Sequence, residues 1–203
     1  MPPEVEYAFE QVDQEVIRLH SDWKIFLELF GGKERVELLN ETAPYYFVVT
    51  QAALVDSIIL AACRLTDPAE TRGGQDENLT IERLIDLVSD DLDDQPIASK
   101  LREQKHEIER RAEPLRNLRN KSLAHNDLAV VMEEELLPNV SRSEIDELLN
   151  AFGKLMNTVS GYYSDPETLY GEAEHLDGTK SLLAYLQMGL ESESPKTLRS
   201  RRV

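Results

Sequence analysis

The sequence contains very little cysteine, tryptophan or histidine, and these shortages exclude several kinds of protein. Its 203 residues include one cysteine, one tryptophan and four histidines. Cys63 cannot form an intramolecular disulfide, so nothing indicates an oxidising compartment and the cytoplasm is the expected location. The histidines, at positions 20, 106, 125 and 175, are not spaced from one another or from the cysteine as zinc ligands are. We therefore predict no metal site.

Other features of common protein classes are also missing. There is no Gly-x-Ser-x-Gly elbow and no glycine-rich loop before a Lys-Ser or Lys-Thr pair, so acyl transfer, P-loop chemistry and a bound cofactor have no support. The apolar run from Phe47 to Cys63 is interrupted by Gln51 and Asp56, which argues against a membrane span. We expect a soluble protein without a membrane partner.

Positive charge is scarce overall. The chain carries 22 Lys and Arg against 39 Asp and Glu, a net charge of -17. A general coat for nucleic acid or for an anionic membrane is excluded, because the summed potential would repel both. Any site for a polyanion must be local.

The residues that are present favour an all-α protein. With 41% hydrophobic residues, the chain has enough apolar side chains for a core, and we predict one domain over residues 1–192. Helix 3–30 follows from one apolar seam before Gly31 and Gly32, and the seam fits a bundle helix or an intermolecular coiled coil. Its residues are Val5, Phe9, Val12, Val16, Leu19, Trp23, Phe26 and Phe30.

The remaining segments complete a bundle of about five to seven helices. Residues 44–65 are apolar on nearly every side, which predicts a helix at the centre of the bundle. Residues 67–78 are expected to be a loop, and Thr80 to cap a short helix. Ser141 and Glu144 form a capping box for a further helix. We place the core at 44–164, a last helix at 179–190, and a basic, disordered tail at 193–203.

A local excess of positive charge lies within the long helix expected from Pro96 to Asn126. That segment has eight basic residues and four acidic ones. Pro114 is expected to kink the helix or to restart it. Pairs such as Glu107 with Arg111 fit an ordinary solvated face. The stretch after Pro114 differs, because its arginines stand among asparagines without acids.

That stretch contains a recognisable pattern. Arg119-Asn120-Lys121 is followed by Leu123-Ala124-His125 and Asp127, which resembles the signature of the HEPN superfamily: an arginine, a polar residue directly after it, and a histidine a few positions later. The neighbouring stretches Arg64-Leu65-Thr66-Asp67 and Asn78-Leu79-Thr80 make it similar to the AbiU type, associated with abortive phage infection. The resemblance covers about Tyr45 to Tyr163.

The resemblance implies a helical protein, usually a homodimer, that cleaves RNA without a metal. Such cleavage requires attack by the 2′-hydroxyl, a group that moves protons and a fixed cation. His125 suits the proton transfers and Arg119 the cation, while Asn120 would orient one of them or bind phosphate. Arg116 and Lys121 are candidate RNA contacts. Many HEPN toxins also have a nucleotidyltransferase-like antitoxin as partner.

Two questions stay open from the sequence. In an α-helix, Arg119 and His125 would be separated by about 9 Å along the axis and about 120° around it, so either the helix distorts or a second subunit completes the site. The function is either that of a toxin–antitoxin or phage-defence ribonuclease, or that of an inactive HEPN dimer that binds a nucleotide or a protein.

Overall fold

The computed structural model describes residues 1–71, 76–91, 95–124, 140–172 and 178–192. Over these ranges the all-α prediction is confirmed, with seven α-helices. In chain order they are α1 Pro3–Phe30, α2 Lys33–Thr42, α3 Pro44–Thr66, α4 Ile81–Asp91, α5 Gln95–Leu118, α6 Arg142–Tyr162 and α7 Thr179–Ser192. The expected basic tail, 193–203, lies outside the described residues.

The apolar seam of α1 is buried within the chain itself. Val16 and Leu19 are fully buried, and Val5, Val12 and Trp23 are nearly so. Burial of the seam against the same chain favours the bundle interpretation of this helix over an intermolecular coiled coil. The helix ends at Phe30, directly before the Gly31-Gly32 pair, as predicted.

The chain divides into two compact units, each described here by itself. The first comprises Met1–His20 and Asp56–Gly171. In it α5 packs against α4 and α6, and the fully buried side chains include Leu101, Ile108 and Phe152. These helices form a rigid support for the end of α5, where the HEPN-like residues begin.

The middle of α1 is joined to α6 and to the segment after it by polar contacts. His20 Nε2 lies 3.1 Å from the Leu149 carbonyl oxygen, and the His20 ring stacks on Tyr170 at 5.6 Å. Burial lowers the pKa of His20, against the opposing effect of the Leu149 carbonyl. The Tyr170 hydroxyl donates a hydrogen bond to Asp13. His20 therefore has a structural role, and His106 is an exposed residue of α5.

The second unit comprises the described residues of Ser21–Val55 and Glu172–Val203. Here α2 packs against α7, and a small core gathers Leu29, Phe30, Leu39 and Phe47. Helix α7 runs two residues further than the predicted 179–190. The prediction of a single domain stays a prediction.

The expectation that α3 lies wholly at the centre of a bundle is wrong for its first half. From Ile58 onward its apolar side chains are buried except Leu60, which is 40% exposed, whereas Tyr45 is 82% exposed and Val48 is 60% exposed. The reason is that the small core of the second unit takes in Phe47 and, partly, Leu54, and so uses only one side of the early turns. We call the exposed residues Tyr45, Val48, Val49 and Ala52 the α3 stripe.

Among the described helices, α3 is the one that has the length and composition of a membrane span. It has 23 residues, and its most apolar stretch has a mean hydropathy of 1.8 and is 33% buried. The core helix of a soluble protein meets the same two criteria, and Ala61, Ala62 and Cys63 are fully buried.

The segment between α3 and α4 is not only a loop. Glu70–Thr71 and Asp76–Glu77 pair as two antiparallel strands of two residues each. The Asn78 amide continues this pairing with a 2.7 Å hydrogen bond to the Ala69 carbonyl. Strands of two residues are too short to show an alternation of apolar and polar side chains, so the sequence does not predict them.

The predicted helix caps are confirmed. The Thr80 hydroxyl accepts a 3.3 Å hydrogen bond from the Arg83 amide at the start of α4. At α6 the capping box is complete, because the Ser141 hydroxyl accepts from the Glu144 amide and the Glu144 carboxylate accepts from the Ser141 amide. These local contacts fix where both helices begin.

Candidate functional site

The HEPN-like residues begin where α5 changes its geometry. α5 is one α-helix from Gln95 to Leu118 with Pro114 inside it, so the alternative of a restart at Pro114 is wrong. The change comes five residues later, where Arg119–Ala124 is a π-helix. A π-helix is wound with wider turns than an α-helix and is common at functional sites. The α-helical relation between Arg119 and the residues after it therefore does not apply here.

Arg119 is held by the end of α3. Its Nη1 lies 2.9 Å and 2.8 Å from the two carboxylate oxygens of Asp67, the residue directly after α3. Its Nε donates a 3.2 Å hydrogen bond to Asn120 Oδ1. Nη2 takes part in neither contact. The guanidinium is thus oriented by two neighbours and its charge is balanced by one carboxylate, with 22% of the side chain exposed.

Arg116, near the end of α5, joins that helix to the end of α3. Its Nη1 donates to the carbonyl of Thr66 at 3.1 Å and its Nη2 to the carbonyl of Glu109 at 2.6 Å. Thr66 is the last residue of α3, where carbonyl groups have no partner within the helix. Arg116 therefore caps α3 and places Asp67 opposite Arg119, a role that its position in the sequence does not reveal.

A surface cavity opens beside Arg119. It has a volume of about 480 Å³ and is lined by Arg64, Asp67, Pro68, Asn78, Leu79 and Arg119. It joins three separate stretches of sequence: the end of α3, the segment before α4 and the start of the π-helix. We call it the motif cavity. Its polar side chains and its opening to solvent suit a ligand that carries negative charge.

The comparison with protein families gives one match that spans nearly the whole described chain. The family model of AbiU2, a HEPN family, matches residues 3–179. The chain belongs to the AbiU2 family of HEPN proteins. Comparisons with curated proteins and with solved structures give no significant match. The family match is longer than the resemblance that the sequence suggests, because it includes α1 and the first residue of α7.

The AbiU2 assignment is consistent with the stretches that the site brings together. Asp67 and Asn78 stand in the two stretches that carry the AbiU resemblance beside the Arg119 motif, and the structure places all three at one cavity. The sequence marks these residues as part of the pattern but assigns them no task. Their task depends on contacts between residues 52 positions apart, such as Arg119 with Asp67.

Two of the remaining candidate residues have less defined surroundings. Lys121 is half-buried on the π-helix. His125 lies outside the described residues, so its place within the helix expected from Pro96 to Asn126 stays a prediction. Among the parts of the chain that the structure describes, no three His, Cys, Asp or Glu side chains are grouped to hold a metal ion.

The single cysteine is buried and interacts electrostatically with Arg119 and Asp67. Cys63 is fully buried, and burial raises the pKa of its thiol to about 11, against the opposing effect of Arg119. A thiol with this pKa is protonated at neutral pH and is a poor nucleophile.

Proposed function

We propose that this AbiU2-family HEPN protein is a metal-independent endoribonuclease of a toxin–antitoxin or phage-defence system, acting in the cytoplasm. The observation that carries the proposal is the Arg119 guanidinium, oriented by Asp67 and Asn120 at a cavity of about 480 Å³. It lies on a distorted helix segment, six residues before His125. The site thus combines a guanidinium in a fixed orientation with a histidine that follows it closely in the sequence.

The proposed reaction uses groups of this chain and of the RNA alone. His125 removes the proton of the 2′-hydroxyl, whose oxygen then attacks the adjacent phosphorus. The bond from phosphorus to the 5′-oxygen breaks, and that oxygen takes up a proton from the His125 imidazolium, which restores the neutral histidine. Arg119 stabilises the negative charge that gathers on the phosphoryl oxygens. Asn120 and Asp67 orient Arg119, Lys121 binds a neighbouring phosphate, and Arg116 supports the site by fixing Asp67.

An inactive binding module is the second candidate function. The observation in its favour is that Asp67 neutralises Arg119, in a chain whose net charge is already -17. In that case the motif cavity would hold a nucleotide or part of a partner protein. A nucleotidyltransferase-like antitoxin remains a proposed partner under either function.

We expect induced expression of the wild-type protein to arrest bacterial growth, because an unrestrained ribonuclease degrades cellular RNA. His125→Ala should restore growth at the same protein level. Arg102→Ala serves as a matched control, because Arg102 is an exposed arginine of α5 about 25 Å along the helix from Arg119. Absence of toxicity in the wild type, together with absence of RNA cleavage by the purified protein, would favour the binding module.

We also propose a homodimer that places the face from Arg116 to His125 near its two-fold axis, so that two motifs share one cleft. Independently of that face, the α3 stripe of the second unit is exposed and apolar, as interaction surfaces often are. Sedimentation at tens of micromolar should give a species of twice 23.1 kDa. A monomer whose mass does not change with concentration would contradict the dimer.

A further inference from the structure

A second cavity adjoins the motif cavity within the first unit. It also has a volume of about 480 Å³, and its lining includes Glu15, Arg18, Arg64, Leu65 and Leu79. Arg64 and Leu79 line both cavities. We call the two adjoining cavities together the arginine groove. It leads from Arg119 past Arg64 at the end of α3 to Arg18 on α1.

The two added arginines are arranged by one carboxylate. Glu15 accepts from Arg18 through both of its oxygens, at 2.6 Å and 3.1 Å. Its Oε1 also accepts from Arg64 Nη2 at 2.8 Å. Glu15 is therefore shared between two guanidinium groups that come from different helices. Sharing fixes both arginines without adding a second negative charge.

The cations are more accessible than the acid between them. The side chains of Arg18 and Arg64 are 46% and 58% exposed, whereas that of Glu15 is 26% exposed. Counting Arg119 and Asp67, the groove has three arginines and two carboxylates among the residues described. The groove is thus locally positive on a strongly acidic chain, and the exposed guanidinium groups of Arg18 and Arg64 suit phosphate oxygens.

We propose that the arginine groove binds the sugar–phosphate backbone of single-stranded RNA next to the scissile phosphodiester, with Arg18 and Arg64 each contacting a phosphate. This proposal rests on the proposed function. A linear polyanion fits because Arg18 lines one cavity, Arg119 lines the other, and Arg64 between them lines both. The described lining side chains are charged, polar or aliphatic, which favours contacts to the backbone over stacking of bases.

The test measures binding separately from cleavage. A short, labelled RNA that carries 2′-O-methyl groups at every position cannot be cut, and its affinity is followed by fluorescence anisotropy over a range of salt concentrations. Arg18→Ala and Arg64→Ala should each weaken binding by about 3- to 10-fold at low salt. Each should also reduce the slope of log affinity against log salt by about 0.7, the value for one phosphate contact on a single strand. Arg102→Ala should change neither quantity.

Glu15→Gln should change RNA affinity in the direction opposite to the arginine variants. Removing the shared carboxylate leaves both arginines without a competing anion, so binding should tighten severalfold and the salt slope should steepen. A purely structural role for the three residues would leave the salt slope of this variant unchanged. Helicity measured by circular dichroism verifies that each variant is folded.

The outcomes separate this inference from the proposed function. Suppose that Arg18→Ala and Arg64→Ala match Arg102→Ala in affinity and salt slope while the wild type cuts RNA. The proposed RNA binding by the arginine groove is then wrong, and the proposed ribonuclease activity is supported. If the variants lose binding as expected but the wild type cuts no RNA, RNA binding by the arginine groove is supported and the proposed ribonuclease activity is wrong. A wild-type protein that does not bind the RNA at low salt, or an arginine groove that binds an acidic peptide in preference to RNA, overturns the inference.

Discussion

Replacing Arg119 or His125 with alanine should lower the rate of RNA cleavage by about 100- to 1000-fold, the usual cost of losing one group that transfers a proton or stabilises charge in the transition state. For Arg119 the reason is that its guanidinium is the cation oriented at the motif cavity by Asp67 and Asn120. Single-turnover cleavage of a labelled RNA by purified protein measures this loss.

Loss of activity in Arg119→Ala should not come from unfolding. The Arg119–Asp67 ion pair joins side chains that are 22% and 31% exposed, and pairs with this degree of exposure contribute about 1 kcal/mol or less. Thermal unfolding of the variant should therefore stay close to that of the wild type. Arg102→Ala, which removes the same charge elsewhere on α5, should retain full cleavage. Cleavage that survives both Arg119→Ala and His125→Ala would point to a contaminating nuclease.

Substrates that carry a 2′-deoxy sugar at the scissile position should not be cleaved at all, because the attacking oxygen is missing. The products from ordinary RNA should end in a 2′,3′-cyclic phosphate, which mass spectrometry identifies. Addition of EDTA should leave the rate unchanged, because the proposed steps use His125 and Arg119 without a metal. Cleavage of the deoxy substrate, or loss of activity with EDTA, would mean a different mechanism.

Local sequence patterns were sufficient wherever neighbouring residues decide the structure. The seam of α1, the Gly31-Gly32 stop, the Thr80 cap and the Ser141–Glu144 capping box all involve residues within a few positions of one another, and each is confirmed. The all-α class follows from the same regular spacing. The short pattern around Arg119 likewise indicates the HEPN family without any knowledge of the fold.

Local patterns failed where the surroundings of an element decide its role. The first half of α3 is as apolar as the second half, but its burial depends on which helices pack beside it, and the second unit covers only the side that carries Phe47. Similarly, Pro114 removes one backbone donor from α5, yet the helix continues through it. Packing against α4 and α6 offers a physical reason, because tertiary contacts commonly outweigh the loss of a single hydrogen bond.

The sequence by itself determined six of the seven described α-helices, the caps at Thr80 and Ser141, the family and the candidate arginine and histidine, but it did not predict α2. Only the tertiary structure decided what each arginine does, because guanidinium groups on the same helix find different partners according to what packs there. Arg116 meets the carbonyl at the end of α3, Arg119 meets Asp67, and Arg64 shares Glu15 with Arg18. The partners of Arg116, Arg119 and Arg64 lie about 50 positions away along the chain, and the spacing of residues in a sequence carries no information about such contacts.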